Sequence, residues 1–267
     1  MTDSLLRHFR LNAHPFGRDA PKSALHRHRG FNEALERLRY TTEIDAMSAL
    51  VAEPGCGKSL LLGQLADELQ KAGCIVHYLA YATVGPFGLV NALARKAGLA
   101  PRRSRAETAL AVSQKLLEDD RRHILVLDEV HAMPDDTLED VRLLTIADFD
   151  RKSPFVLVLA GHPSLDDRLA DPTHHALDQR ITTVARLAPL AHDETRDYVK
   201  LRLDACGARG QVVFDDDAIA SLFDSSGGVP RRLNRIASAA MIVAASRKKN
   251  IVVAQDVHDA RVDRGRA

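Results

Sequence analysis

The chain has 267 residues, enough for one large domain or two small ones, and its 45% apolar and 27% charged residues are ordinary for a globular protein. Its formal net charge of +1 excludes an overall basic or acidic character, so any nucleic-acid signal must come from local clusters. Three widely spaced cysteines exclude a disulfide framework, and no apolar run is long enough to span a membrane, so we expect a cytoplasmic protein without a membrane partner.

An alternation of strand and helix patterns fills the first two thirds of the chain. Residues 1–30 are polar and irregular, and a helical pattern then begins at Phe31. Apolar segments predict β-strands at 46–51, 75–79, 124–127, 155–160 and 181–187. Helical patterns separate them at 59–71, 87–97, 106–118, 136–148 and 164–170. We therefore predict an α/β domain over residues 1–190, with an N-terminal extension over 1–30 and a mostly parallel sheet flanked by helices.

The strand pattern stops after Pro189, where only helical patterns remain. They lie at 193–205, 215–223, 231–246 and 255–262. Asp193 and Asp215 are candidate N-caps, because a carboxylate at that position can accept hydrogen bonds from the first free N–H groups of a helix. The sequence thus predicts a small C-terminal helical lid subdomain over residues 191–267.

The segment 52–59 reads Ala-Glu-Pro-Gly-Cys-Gly-Lys-Ser and joins a predicted strand to a predicted helix. In such a turn, backbone N–H groups converge on phosphates. We expect Lys58 to bind the β- and γ-phosphates of ATP and to act in catalysis, and Ser59 to ligate Mg²⁺. In the phosphate-binding pattern G-x-x-x-x-G-K-[ST], Ala52 stands in place of the first glycine, which is tolerated if its φ is negative. The expected nucleotide contacts are Pro54, Gly55, Cys56, Gly57, Lys58, Ser59 and Leu60.

Two carboxylates follow the strand predicted at 124–127. Asp128 is expected to hold Mg²⁺, and Glu129 to orient and deprotonate the attacking water. By itself, the pair would also suit a solvated strand end. The residues 128–131, Asp-Glu-Val-His, resemble a helicase DExH box as well. A helicase of that type needs a second RecA-like domain, and the chain after residue 190 looks helical and too short for one.

Four more residues are candidates for the same site. His162 follows the fourth strand and can sense the γ-phosphate, or it is a surface histidine in a turn. Arg180 can enter a neighbouring copy's ATP site as an arginine finger, with Arg168 as the second choice and a surface ion pair as the alternative. Arg231 follows a Gly-Gly-Val-Pro turn and heads a helix, where it can reach the nucleotide or form a basic surface.

Two segments carry basic residues without acidic ones. The first, 95–105, contains Arg95, Lys96, Arg102, Arg103 and Arg105. The second, 225–255, contains Arg231, Arg232, Arg235, Arg247, Lys248 and Lys249. Such clusters bind DNA phosphates in a salt-sensitive manner, or they are solvated faces. We take Arg102, Arg103 and Arg105 as candidate DNA contacts, and the absence of interleaved aromatic residues favours duplex over single-stranded DNA.

These motifs occur in the order found in AAA+ ATPases, and the chain resembles most closely the ExeA/GspA-like branch, which includes TnsC/TniB-type regulators of DNA transposition. The stretches that carry the resemblance lie at 14–16, 33–38, 127–131, 159–165, 178–181 and 230–235. The resemblance implies the following roles: Walker A for Lys58 and Ser59, Walker B for Asp128 and Glu129, sensor 1 for His162, arginine finger for Arg180, and sensor 2 for Arg231. It also implies that residues 14–16 and 27–31 face the adenine. Ala52 and His162 depart from the family pattern.

Secretion-associated ExeA proteins look longer, with a membrane segment and a cell-wall-binding tail, and the chain reaches Ala267 with neither. The resemblance therefore favours a regulator that assembles with ATP and Mg²⁺ as a homo-oligomeric ring or filament on double-stranded DNA. It would recruit or activate a transposase and disassemble on slow or partner-stimulated hydrolysis. The alternative is a soluble ExeA-like ATPase adaptor that acts on a protein partner, in secretion or assembly, without DNA.

Overall fold

The computed structural model describes residues 2–17, 20–80, 85–146 and 153–262. The chain divides into two compact units. Gly30–Leu187 form an α/β unit, and Met1–Arg29 together with Ala188–Ala267 form a helical unit. The described helices are α1 (Thr2–Phe9), α2 (Arg29–Glu43), α3 (Lys58–Lys71), α4 (Pro86–Lys96), α5 (Arg105–Leu117), α6 (Asp135–Leu144), α7 (Ser164–Leu169), α8 (His175–Asp178), α9 (His192–Ala205), α10 (Asp216–Ser226), α11 (Pro230–Ser246) and α12 (Ala254–Val262).

A five-stranded parallel sheet is the centre of the α/β unit. Its strands are β1 (Met47–Ala52), β2 (Ile75–Leu79), β3 (His123–Leu127), β4 (Val156–Gly161) and β5 (Ile181–Leu187). They are ordered β2-β3-β4-β1-β5, and every pairing is parallel. Each strand lies within one residue of its predicted position, so the predicted α/β sheet flanked by helices is confirmed.

The three central strands carry no exposed residue. Every residue of β1, β3 and β4 is buried, as expected for parallel strands that are covered by helices on both faces. In a parallel sheet the carboxyl ends of all strands meet at one edge. The residues that follow β1, β3 and β4 are therefore brought together, although up to about a hundred residues separate them in the chain.

Helix α6 is shorter than the predicted 136–148. It ends at Leu144, because both the N–H and the hydroxyl of Thr145 donate to the carbonyl of Arg142, at 3.1 and 2.6 Å, and close a tighter turn. Residues 147 and 148 of the prediction lie outside the described residues. No described helix has the length and apolar character needed to cross a bilayer.

The N-terminal segment differs from the prediction. Residues 1–30 were expected to be irregular and to extend the α/β domain, but α1 is helical, and the described part of the chain before Gly30 belongs to the same compact unit as the C-terminal helices. The reason is apolar burial, since Phe9, Leu11 and Phe16 enter the core of the helical unit. The ring of Phe16 meets that of Phe214 edge to face, with centroids 5.9 Å apart.

The two predicted N-caps have different outcomes. Asp215 caps α10 as predicted, and its carboxylate accepts from the Ala218 N–H at 2.7 Å. Asp193 lies inside the first turn of α9 and does not cap it. The helix begins one residue earlier, where the Glu194 carboxylate accepts from the Ala191 N–H at 2.9 Å.

Two glycines connect α10 to α11 through left-handed backbone. Gly227 has a φ of 59° and Gly228 a φ of 70°. The Gly228 carbonyl accepts from the Leu190 N–H at 3.0 Å, and a Cβ on Gly228 would overlap the Leu190 carbonyl oxygen. A Cβ on Gly227 would meet nothing within 4 Å.

Replacement of these glycines should therefore have unequal effects on stability. Gly227→Ala adds only the left-handed strain, which we expect to lower the free energy of unfolding by about 1 kcal/mol. Gly228→Ala adds a backbone overlap as well, so we expect a loss of ~3 kcal/mol or more in denaturant unfolding. Equal losses in the two variants would contradict the close approach of Gly228 to Leu190.

Candidate nucleotide-binding site

The loop after β1 has the backbone of an anion cradle. Gly55 and Gly57 have φ values of 94° and 106°, which only glycine adopts without strain, and α3 begins directly after Gly57. The first N–H groups of α3 have no partner within the helix, and the positive end of its dipole faces the loop. Ala52 is the last residue of β1 and is not among the residues with positive φ, so alanine is unstrained there. The loop can thus hold phosphate groups.

Lys58 lies between the two carboxylates that follow β3. Its Nζ is 2.7 Å from Glu129 Oε1 and also contacts Asp128 Oδ1. The lysine is 9% exposed and Asp128 is 2% exposed, so little water screens this pair, whereas the Glu129 side chain is half-exposed. The hydrogen bond from Lys58 holds the pKa of the Glu129 carboxyl below its usual range. Glu129 is therefore an anion at neutral pH.

Asp128 is fixed from several sides at the end of β3. Its N–H donates to the Leu79 carbonyl at 2.8 Å, and its Oδ1 accepts from the Glu129 N–H at 2.8 Å. The Tyr78 hydroxyl donates to its Oδ2 at 2.8 Å. Glu129 has a φ of 59°, uncommon for a residue other than glycine and often found at functional sites. Tyr78 was not predicted, because its position follows from the pairing of β2 with β3.

His162 follows β4, whose last residue, Gly161, pairs with Val51 of β1. The fourth strand therefore lies beside the strand that precedes the glycine loop. The His162 N–H donates to His131 Nδ1 at 3.3 Å, and the two rings lie 4.8 Å apart. His131 Nε2 is in turn 3.7 Å from Glu129 Oε2. The sequence had indicated His131 only as part of a DExH-like string.

Arg180 lies at the opposite edge of the sheet from the loop. It precedes β5, and the next residue, Ile181, pairs with Met47 at the start of β1. The loop follows the other end of β1, roughly 17 Å away at about 3.3 Å per residue. The Arg180 guanidinium donates to Thr145 Oγ1 at 3.3 Å and lines a cavity of about 700 Å³ at this edge. Arg180 therefore cannot reach the loop of its own copy.

Arg168, the second candidate for an arginine finger, is engaged within its own unit. It donates to the carbonyl oxygens of Val130 and His131 at 3.0 and 3.2 Å and forms an ion pair with Asp135. These contacts fix the turn that follows β3. They give Arg168 a structural role and weaken the case for an arginine finger there.

Comparison with known proteins supports this arrangement. Residues 43–169 match the model of an AAA domain, AAA_22. General secretion pathway protein A of Aeromonas hydrophila is 36% identical over 137 residues, which are 51% of this chain and only 25% of that protein. Cdc6p of Pyrobaculum aerophilum has a similar structure, with a TM-score of 0.72 and 21% identity over 93% of this chain and 70% of that one.

Two further structures are similar. ORC1 of Aeropyrum pernix, solved in complex with DNA, has a TM-score of 0.62 and 20% identity, over 89% of this chain and 65% of that one. RuvB of Thermotoga maritima, a Holliday junction branch migration motor, has a TM-score of 0.55 and 18% identity, over 86% of this chain and 67% of that one. The chain has the P-loop AAA+ fold. Over about half of its length the chain is also similar to general secretion pathway protein A.

Within the AAA+ fold, Ser59 and Asp128 are the residues that would hold Mg²⁺. Ser59 is exposed in the first turn of α3, and Asp128 presents a buried, oriented carboxylate. Mg²⁺ in AAA+ and other P-loop sites is bound by one or two such oxygens together with phosphate oxygens and water, so this donor set fits. When bound, the ion would neutralise charge on the phosphates.

Other predicted contacts belong to the helical unit. Arg231 is exposed in the first turn of α11, and its role toward the nucleotide stays a prediction. Phe16 is 7% exposed, so its ring serves the core of this unit, and Arg202 holds the same segment through the Pro15 and Gly17 carbonyls, at 2.5 and 3.1 Å. The prediction that residues 14–16 face the adenine therefore has no support from the Phe16 ring.

The first basic cluster is only partly neutralised. Arg102 and Arg103 are exposed, whereas Arg105 forms an ion pair with Asp140 at 2.9 Å.

Two basic residues of the second cluster form ion pairs with acidic residues that follow the segment. Arg247 pairs with Asp256 and Asp259 at 2.8 and 2.6 Å, and Lys249 pairs with Asp256 at 3.1 Å. Asp256 and Asp259 lie just beyond residues 225–255 in the chain. Because part of its charge is already compensated, we do not assign DNA contact to the second cluster.

The Tyr78 hydroxyl is accessible to a direct test. Tyr78→Phe removes the donor to Asp128 and should weaken Mg²⁺-dependent binding of a fluorescent ATP analogue by ~10- to 150-fold, since a hydrogen bond to a charged group contributes about 1.5–3 kcal/mol. Binding without Mg²⁺ should change little. Tyr40→Phe, at an exposed tyrosine of α2, is the control. Identical affinities for wild type and Tyr78→Phe at every Mg²⁺ concentration would contradict a role for Tyr78 in this site.

Proposed function

We propose that this chain hydrolyses ATP with Mg²⁺ at a site between neighbouring copies of a homo-oligomer. The observation that carries the proposal is Lys58, held between Asp128 and Glu129 at the end of a glycine loop with the backbone of a phosphate cradle. The ammonium and the loop amides would bind the phosphates, and the two carboxylates lie beside that position. The site therefore combines positively polarised groups that bind phosphate with a carboxylate that can act as a base.

The reaction would use the ionised Glu129. A phosphate group attracts Lys58, which would release Glu129 from its present hydrogen bond. Glu129 would then accept a proton from the water whose oxygen attacks the γ-phosphorus, as the bond to the bridging oxygen of the leaving ADP breaks. Binding of a phosphate in the loop would thus change the position of Glu129, which links nucleotide binding to hydrolysis. We expect slow turnover unless a neighbour or partner stimulates it.

The neighbouring copy would supply Arg180. Its place at the opposite edge of the sheet supports this role, because a residue far from its own loop can complete the loop of the next copy in a head-to-tail assembly. The guanidinium would stabilise charge on the transferred phosphoryl group. Head-to-tail contacts of this kind build either rings or helical filaments, which agrees with the assembly that the sequence resemblance implies. Arg231 would contact the nucleotide as sensor 2, and His162 would act as sensor 1.

We further propose that the ATP-bound oligomer assembles on duplex DNA. Its biological role would be to regulate transposition by recruiting or activating a transposase. The exposed Arg102 and Arg103 support a contact with DNA phosphates. The similar ORC1 structure was solved with DNA, a property of that protein. The transposition role itself rests on the sequence resemblance.

A protein partner is the second candidate. The 36% identity to general secretion pathway protein A, over half of this chain, favours an adaptor that acts in secretion or assembly without DNA. In that case Arg102 and Arg103 would form a solvated surface, and reversal of their charge would have no effect on function.

DNA binding in different nucleotide states separates the two candidates. We expect a gel shift of duplex DNA with a non-hydrolysable ATP analogue that is at least ~10-fold stronger than with ADP or without nucleotide, and weaker at higher salt. Arg102→Glu combined with Arg103→Glu should remove most of the shift while leaving nucleotide affinity unchanged.

The matched control reverses two exposed charges elsewhere on the α/β unit, Lys71→Glu with Lys115→Glu. These residues lie outside the basic cluster, so the control should retain the gel shift. Absent or equal binding in all three nucleotide states would exclude the DNA proposal and favour a protein partner. An equal loss in the control pair would show that the effect is one of net charge alone.

A further inference from the structure

His131 connects the end of β4 to the candidate base Glu129. Its Nδ1 accepts the N–H of His162 at 3.3 Å, and its Nε2 lies 3.7 Å from Glu129 Oε2. The side chain is 21% exposed, less than half the exposure of the Glu129 side chain. The imidazole therefore has one nitrogen on the backbone that follows β4 and the other facing the carboxylate.

The contact with His162 determines the tautomer of His131. A neutral imidazole has one N–H donor and one bare acceptor nitrogen. Because Nδ1 accepts from a backbone N–H, the proton of the neutral ring must be on Nε2, the nitrogen that faces Glu129. Burial lowers the pKa of His131, so the ring is neutral at pH 7. Nε2–H is thus a donor directed at an anionic acceptor, about 0.8 Å beyond normal hydrogen-bond distance.

The turn that carries His131 is fixed on two sides. Arg168 donates to the carbonyls of Val130 and His131, and the turn lies against Gly161 at the end of β4. A Cβ on Gly161 would lie 3.4 Å from the His131 backbone nitrogen and 3.1 Å from a methyl carbon of Leu165. His131 is therefore held in place, while Glu129 is the partner with room to move.

We propose that His131 is a positioning residue for Glu129, and that it transmits the position of the β4 end to the base. This inference rests on the proposed ATPase function. When Lys58 turns to the phosphates, Glu129 loses its hydrogen bond to the ammonium. A small rotation of the carboxylate then brings Oε2 to His131 Nε2–H, which orients the other oxygen toward the water. The charged and titratable groups that face His131 are Glu129, His162, Lys58 and Arg168.

Two amide substitutions separate the two contacts of the imidazole. The short side chain of His131→Asn can still accept the His162 N–H but cannot reach Glu129. The longer side chain of His131→Gln presents a donor near the position of Nε2. We expect His131→Asn to lower kcat for ATP by ~10- to 100-fold, with KM and ATP-analogue affinity within about twofold of wild type. His131→Gln should recover kcat to within about fivefold of wild type.

A structural role would give a different pattern. If both variants lose kcat equally, or if the loss of kcat follows a loss of affinity or melting temperature, the positioning role is wrong. His162→Ala keeps the backbone N–H that His131 accepts, so this variant should leave the proton of His131 on Nε2 whatever it does to turnover. A protonated Nδ1 of His131 in His162→Ala would show that the His162 ring, and not its backbone N–H, sets the tautomer, and would overturn the proposal.

The tautomer can be measured without turnover. In ¹⁵N-histidine NMR of the protein without nucleotide, His131 should show a protonated Nε2 and a bare Nδ1, and Glu129→Gln should shift the Nε2 resonance. A protonated Nδ1, or a resonance insensitive to Glu129→Gln, would overturn the proposal even if the chain is an active ATPase. Conversely, the absence of any ATP hydrolysis with the predicted NMR signature would reject the proposed function and not the His131–Glu129 contact.

Discussion

The ammonium of Lys58, buried between the carboxylates of Asp128 and Glu129, is the interaction on which the rest of the site depends. Burying the charges of Lys58 and Asp128 costs free energy, and close pairing with each other and with the half-exposed Glu129 offsets that cost. The pairing exists because β1 and β3 are parallel and end at the same edge of the sheet, with β4 between them. A phosphate that enters the loop competes with the carboxylates for Lys58, so binding and the position of Glu129 are linked.

The sheet also separates the two halves of the proposed chemistry. The glycine loop, Asp128 and Glu129 lie at the carboxyl edge, and Arg180 lies at the amino edge, across the length of β1. One copy therefore contains both halves but cannot bring them together. Under the proposed function this constraint makes hydrolysis a property of the assembly, and it ties nucleotide turnover to the presence of a neighbour.

Local motifs could be predicted from the sequence, whereas contacts that depend on the order of strands in the sheet could not. The strands and the glycine loop were predicted to within one residue, because apolar runs and left-handed glycines are encoded over a few residues. Tyr78 and the His131–His162 contact depend on which strands pair, which the sequence alone does not determine. The packing of Phe9 and Phe16 against helices some two hundred residues later is equally non-local. For the same reason the acids that compensate Arg247 were missed.

A mixing experiment tests the shared site most directly. Glu129→Gln and Arg180→Ala should each be inactive, and their equimolar mixture should recover hydrolysis. In a random assembly of the two variants, about a quarter of the junctions between copies join an intact Glu129 to an intact Arg180. Glu129→Gln mixed with Lys58→Ala is the control and should stay inactive, since both residues belong to the same half of the site. No recovery in the first mixture, while both variants still assemble, would contradict a nucleotide site that is completed by the neighbouring copy.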